Sequence, residues 1–196
     1  MTVPVPRITD TTHPELAAMP GAMVTSAAAK SLAVLRVATG FIFLWAFLDK
    51  TFGLHYATPT AKAWIHGGSP TAGFLGHVEV GPFQSLFRSM AGAQWADWMF
   101  MIGLLGIGVA LIAGVAVRIA ASSGALLVAF MWLATFPIAQ FDSTGAATSS
   151  NNPIVDDHVL EALVLVVLAL TYAGTTLGLG RRWAQLPFVS KHRWML

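Results

Sequence analysis

Within six positions the chain places Asp156, Asp157, His158 and Glu161. Imidazole is the side chain whose ordinary titration falls near neutral pH, and neighbouring carboxylates couple to it. Such a group can hand protons to a quinone head group at a membrane surface. Asp157 and Glu161 are four apart and His158 and Glu161 three apart, so a helix puts these three on one face. Asp156 then points elsewhere, as an N-cap whose side chain accepts from exposed amides. A plainer reading competes with proton handling. Acids at a helix N-terminus suit the macrodipole and form structural ion pairs. Lys50 is the natural counter-ion for one of these carboxylates, and Asp49 is a second candidate partner for His158.

These residues sit where an apolar run begins. The chain has 196 residues, of which 56% are hydrophobic and 10% charged. A soluble domain carries about 25% charge. A bilayer helix needs about 20 apolar residues. The expected fold is an all-α integral membrane protein: a four-helix transmembrane bundle with a long outer loop between its first two helices. The expected spans are about 30–51, 96–117, 119–141 and 157–179, inside a membrane domain over 30–182. Residues 1–29 read as a flexible tail without the pattern of a secretory signal. Residues 183–196 read as a basic tail.

Within the first span Arg36 can snorkel back to the near surface, while Asp49 and Lys50 emerge at the far one. In the second, Trp95 and Trp98 form an interfacial anchor. Gly106, Ala110 and Gly114 make a small-residue stripe that lets helices approach closely. Pro137 should kink or end the third span. Phe83, Leu86, Phe87 and Met90 recur at helical spacing, which predicts a short interfacial helix in the first loop. Lys30, Arg118, Arg181, Arg182, Lys191 and Arg193 all fall on one side of four spans. That side is expected to be cytoplasmic, with both termini. Asp49, Glu79, Asp97, Asp142, Asp156, Asp157 and Glu161 then gather at the outer side.

Other candidates lie in the outer connection. His55 and His77 can join the polar layer, whereas His66 ends a surface segment. Gly67-Gly68-Ser69-Pro70-Thr71-Ala72-Gly73 reads first as a turn. Its amides could also form an anion nest, with Lys50, Lys62 and Arg88 supporting an oxyanion. Phe41, Trp45, Phe52 and Trp132 can wall a ligand, although such aromatics more often pack or meet lipid. There is no cysteine, so thiolate metal sites and disulfides are excluded. No HxxxH or HExxH spacing argues for a metal; two histidines on different helices could still bind haem, a weak signal. The scattered basic residues do not point to nucleic acid.

Leu35-Arg36, the sequence from Phe43 to Lys50, the loop from Trp64 to Thr71 and the sequence from Asn152 to His158 together resemble the DoxX/DoxD family. The resemblance spans roughly 31–182. It implies a small four-helix protein of a prokaryotic plasma membrane. For DoxD-like members it implies the membrane subunit of a thiosulfate:quinone oxidoreductase, working with a small second subunit or other respiratory partners. Quinone is then the expected cofactor. On this reading Asp49, Lys50, Asp157, His158 and Glu161 serve the chemistry, and Trp45, His55 and His158 hold the quinone. Lys50, Lys62, Gly67, Gly68, Ser69 and Arg88 receive the sulfur anion. A non-catalytic membrane partner or scaffold is the alternative, and homo-oligomers suit either. A small-solute or proton transporter ranks last, because the inner halves of the spans offer almost no polar route.

Overall fold

The computed structural model describes residues 25–195 apart from 80, 137, 139, 142, 143, 149 and 151. Of the expected tail over 1–29, residues 1–24 lie outside the described residues, as do a kink at Pro137, Asp142 and Asn151, whereas residues 26–29 are helical and begin the first long helix instead of belonging to a tail. The described chain is helical throughout, with one isolated β-bridge between Phe141 and Ala147. Three helices are long and apolar enough to cross a bilayer: α1 (Ser26–Phe52), α4 (Gln94–Ala113) and α5 (Val117–Thr135). Between α1 and α4 the connection folds into short 3-10 turns, α2 (Ala72–Leu75) and α3 (Gln84–Met90). After α5 come α6 (Asp157–Leu170), α7 (Gly180–Ala184) and α8 (Pro187–Lys191).

Local chemistry sets the ends. Thr25 caps α1 by accepting from the Ala28 amide. Gly53, left-handed at φ 66°, stops it. Gly114 stops α4 in the same way at φ 72°, so α4 ends four residues short of the expected 117. Phe136 is extended, as the residue before a proline prefers, and α5 ends at Thr135 rather than near 141. The fourth element departs most from expectation. Instead of a helix over 157–179, α6 stops at Leu170 after 14 residues. Tyr172 and Leu177 take positive φ, and the chain between them tucks under the other helices.

α1 packs mainly against α4, and α5 against α6, with α4 and α5 joining the two pairs. The shared core is Phe43, Met101, Leu104, Ile107, Leu111, Val128 and Leu165 with small residues of α5. The α1–α4 crossing is set by Gly40 and Gly108. A Cβ on Gly108 would lie 2.7 Å from the Leu44 nitrogen, and one on Gly40 would lie 2.9 Å from that of Ile112. Gly106, expected to serve this role, faces open space. At 100° per residue it points away from the face that carries Gly108. Outward faces are apolar on all four long elements, with Val34, Ile42, Ile102, Val109, Phe130, Leu163 and Val166 exposed.

In the connection, Phe87 and Val78 pack against Ala134 at the end of α5. Phe83 and Leu86, on the same segment, stay exposed. The short helix expected there is thus formed as α3, and it is tied to the bundle by one residue, Phe87.

Candidate functional site

At the mouth of α6, Asp156 does two things. Its Oδ1 accepts from the Val159 amide at 3.2 Å, which makes it the N-cap. Its Oδ2 lies 2.7 Å from Nδ1 of His158. Both side chains are 21% exposed. The partner of His158 is therefore Asp156, the carboxylate expected to point elsewhere. An N-cap residue sits outside the helical φ/ψ, so its second oxygen can turn back over the first turn. Asp157, expected to share the face of His158, is exposed in that turn. Glu161 lies one turn below His158 and is half-buried, and it makes no hydrogen bond or ion pair among the described residues.

The segment feeding this cap is itself ordered. Asn152 Oδ1 accepts from the amides of Ile154 and Val155, and its Nδ2 donates to the Val155 carbonyl. Trp132 Nε1 donates to the Ile154 carbonyl at 2.8 Å, and the Trp132 ring lies 5.0 Å from that of Phe136. One of the expected aromatic walls thus stands beside the approach to His158. Trp45 belongs to another group, stacked on Phe41 and edge-on to Tyr56. Phe52 is exposed.

Asp49 and Lys50 do not join the α6 cluster. Asp49 is 2% exposed. Its oxygens accept from the Tyr56 and Ala57 amides at 3.1 and 3.0 Å, and the Thr58 hydroxyl adds to them. It closes the turn after α1, where His55 sits at φ 68°. The expected ion pair of Lys50 with Asp157 or Glu161 is not formed: its ammonium lies 6.0 Å from the ring centroid of Phe100 on α4. The reason lies in the packing, because α1 contacts α4 far more than α6. His55 bonds to Thr60 Oγ1 and His66 to the Thr60 carbonyl. His77 bonds to the Gly73 carbonyl.

The glycine-rich turn is organised by a residue that the sequence reading placed in the acidic layer but gave no role. Asp97 on α4 is 6% exposed. Its Oδ1 accepts from Ser69 Oγ at 2.9 Å, the Thr71 amide at 2.9 Å and Thr71 Oγ1 at 2.6 Å. Thr71 Oγ1 in turn accepts from the Gly92 amide, and Ser69 Oγ from that of Ala72. The Gly67 and Gly68 amides donate to the Trp64 and Ala63 carbonyls. These donors are engaged within the protein, and a carboxylate stands at their centre. Lys62 and Arg88 are exposed. The available signal for Asp97 was its place one turn inside an apolar helix, where a charge needs partners.

Arg36 is the second residue that sequence reasoning misplaced. It does not snorkel: it is fully buried. Nη1 donates to the Leu111 carbonyl and, at 3.1 Å, to that of Ile112; Nη2 donates to Leu177 at 2.9 Å. Leu111 and Ile112 carry the last carbonyls of α4, the negative end of its dipole. Glycines make room for this. A Cβ on Gly114 would lie 2.5 Å from Nη1, one on Gly178 2.9 Å from Nη2, and one on Gly174 2.5 Å from the Gly114 carbonyl.

Among the described residues no three His, Asp or Glu side chains gather as metal ligands would. Comparison of the chain with protein-family models, with curated proteins and with solved structures finds no match.

Proposed function

We propose that this chain is an integral membrane subunit of a quinone-linked redox system, in which Asp156, His158 and Glu161 exchange protons at the outer membrane surface. The observation that carries this reading is the 2.7 Å Asp156–His158 pair above the half-buried Glu161. With Nδ1–H donating to Asp156, His158 keeps Nε2 to take or give a proton, and the pair fixes the ring's orientation. Quinone reduction takes up two electrons and two protons. A head group beside Trp132 would meet that nitrogen as a proton source, with Asp156 stabilising the imidazolium.

In this reading α1, α4 and α5 cross the bilayer. α6 spans roughly 21 Å at 1.5 Å per residue, and the irregular segment to Leu179 completes a fourth crossing. Non-helical backbone at membrane depth is tolerated where protein buries it, and Ala173 and Gly174 are buried. The basic end then faces the cytoplasm. Oxidation of two thiosulfates to tetrathionate, the donor reaction that the DoxX/DoxD resemblance implies, releases the two electrons. The chain has no cysteine, so the sulfur chemistry falls to a second subunit.

A second reading, a non-catalytic membrane partner, is favoured by Asp49 and Asp97. Both are engaged in closing the outer connection, whose Tyr56, Ile65 and Leu86 are exposed. Extraction of the purified protein separates the two. Co-purified quinone that is lost in Trp132→Ala supports the redox reading; a quinone-free preparation that captures a second subunit supports the scaffold.

A further inference from the structure

Residues 162–196 contain no Asp or Glu. Arg181 and Arg182 on α7 and Lys191 on α8 are exposed. Around them Leu177, Leu186, Phe188 and Trp194 are exposed as well. These short helices are held in place: Val189 is buried, and Trp183 Nε1 donates to the Met195 carbonyl at 2.8 Å. A cleft opens between the start of α5, the segment after α6, and α7. Val117, Ala169, Tyr172, Thr175 and Trp183 wall it. The Arg118 guanidinium lies 5.8 Å from the Tyr172 ring centroid, at the edge of this cleft. Gly180, Trp183 and Ala184 carry the face of α7 that meets the cleft, and Arg181 and Arg182, on the same helix, are turned to the surface. Arg36 takes no part, since its guanidinium is already bonded to backbone carbonyls.

We propose that this basic surface, with Arg118, Arg181, Arg182 and Lys191 among the exposed Leu177, Phe188 and Trp194, binds the head group of one anionic phospholipid from the leaflet at the basic end. Guanidinium groups recognise phosphate through paired, charge-assisted hydrogen bonds. Basic residues at a membrane surface attract anionic lipid. The glycerol and first methylenes of the lipid lie against the exposed apolar residues around these cations. Exposed Leu177, Phe188 and Trp194 enter the same interfacial layer, as apolar and aromatic residues do there. A soluble phosphate would meet the same charges, yet it would have no use for the exposed apolar residues. The opposite end of the bundle supplies the contrast, with Asp156, Asp157 and Glu161 at its surface. This inference rests on the membrane reading and is independent of the redox one. Resistance to alkaline carbonate extraction checks that reading separately.

The test is native mass spectrometry of the full chain in detergent, titrated with phosphatidylglycerol or phosphatidylcholine of the same acyl chains. The wild type should retain one phosphatidylglycerol in preference to phosphatidylcholine. The double variant Arg181→Gln/Arg182→Gln should weaken that retention roughly tenfold, given the attraction contributed by each basic residue. Both side chains are exposed, so the variant folds; helical circular dichroism confirms this. The charge-matched variant Lys62→Gln/Arg88→Gln, in the connection between α1 and α4, should leave retention unchanged. Equal retention of the two lipids, equal loss in both double variants, or displacement of the lipid by millimolar inorganic phosphate would each overturn the proposal.

Discussion

The two ends of the bundle handle charge in opposite ways. At the basic end one buried guanidinium binds three backbone carbonyls and holds α1, the end of α4 and the Leu177 segment together. No described carboxylate pairs with it: Nη1 and Nη2 meet backbone carbonyls, two of them at the end of α4, and glycines clear the space. At the acidic end three carboxylates each solve a local problem. Asp49 closes one turn, Asp97 fastens another, and Asp156 caps a helix while holding an imidazole. Buried charge is therefore not by itself a sign of chemistry in this molecule. Arg36, Asp49 and Asp97 are more buried than His158; both carboxylates accept from backbone or hydroxyl donors, and Arg36 bonds through Nη1 and Nη2 while its Nε is buried without a partner among the described residues. What remains open to a ligand is the less buried group, His158, with Glu161 beneath it.

The largest effect should come from Arg36. Arg36→Leu removes bonds to three carbonyls in a buried site and should cost about 3 kcal/mol or more, read as thermal unfolding in detergent. Arg36→Lys should recover only part, because an ammonium lacks the planar fork. A loss below about 0.5 kcal/mol for Arg36→Leu would mean the carbonyls find other partners, and the contrast between the ends would lose its basis.

The helix crossing gives a sharper, smaller test. Gly108→Ala drives a Cβ against the backbone of Leu44 and should cost about 1–3 kcal/mol, as overpacking does. Gly106→Ala meets nothing within 4 Å, so it should be neutral or slightly stabilising through helix propensity. Equal effects in unfolding experiments would contradict the assigned faces.

That pair also shows what the sequence makes legible. Apolar length gives the three long helices to within four residues at every end but that of α5, which falls six residues early, since burying backbone in lipid leaves few alternatives. The small-residue pattern points to a close crossing but not to its face: Gly106 and Gly108 are both on α4, and only Gly40 across the interface decides between them. The end of α6 was hidden for a related reason. The stretch after Leu170 is apolar enough to continue a helix, and the features that break it, Gly114 and Arg36, lie on other elements. In the outer layer, matched depth suggested that Lys50 should meet Glu161. Depth is one coordinate of three, and the pairing of α1 with α4 directs Lys50 to Phe100 instead. The N-cap role of Asp156 was readable because it is local. Its bond to His158 was not, because the rotamer of a cap residue is outside the helical pattern.

At the acidic end, Asp97→Ala should cost about 2 kcal/mol through the loss of a carboxylate that accepts three bonds. It should also raise hydrogen exchange at the Thr71 amide while leaving the end of α6 protected. If exchange rises equally at both places, the two carboxylate clusters are one unit and not the separate devices described above.

The smallest stability effect belongs to the dyad, and it tests the central claim most directly. His158→Gln and Asp156→Asn should each change stability by less than about 0.5 kcal/mol, because Asn remains a good N-cap and His158 is partly exposed. The measurement is thiosulfate-dependent reduction of a soluble quinone by the protein with whatever subunit co-purifies. Both variants should lower the rate at least about tenfold, the low end of a lost acid–base contribution. Full activity in folded His158→Gln, set against an active wild type, would contradict proton exchange at this site.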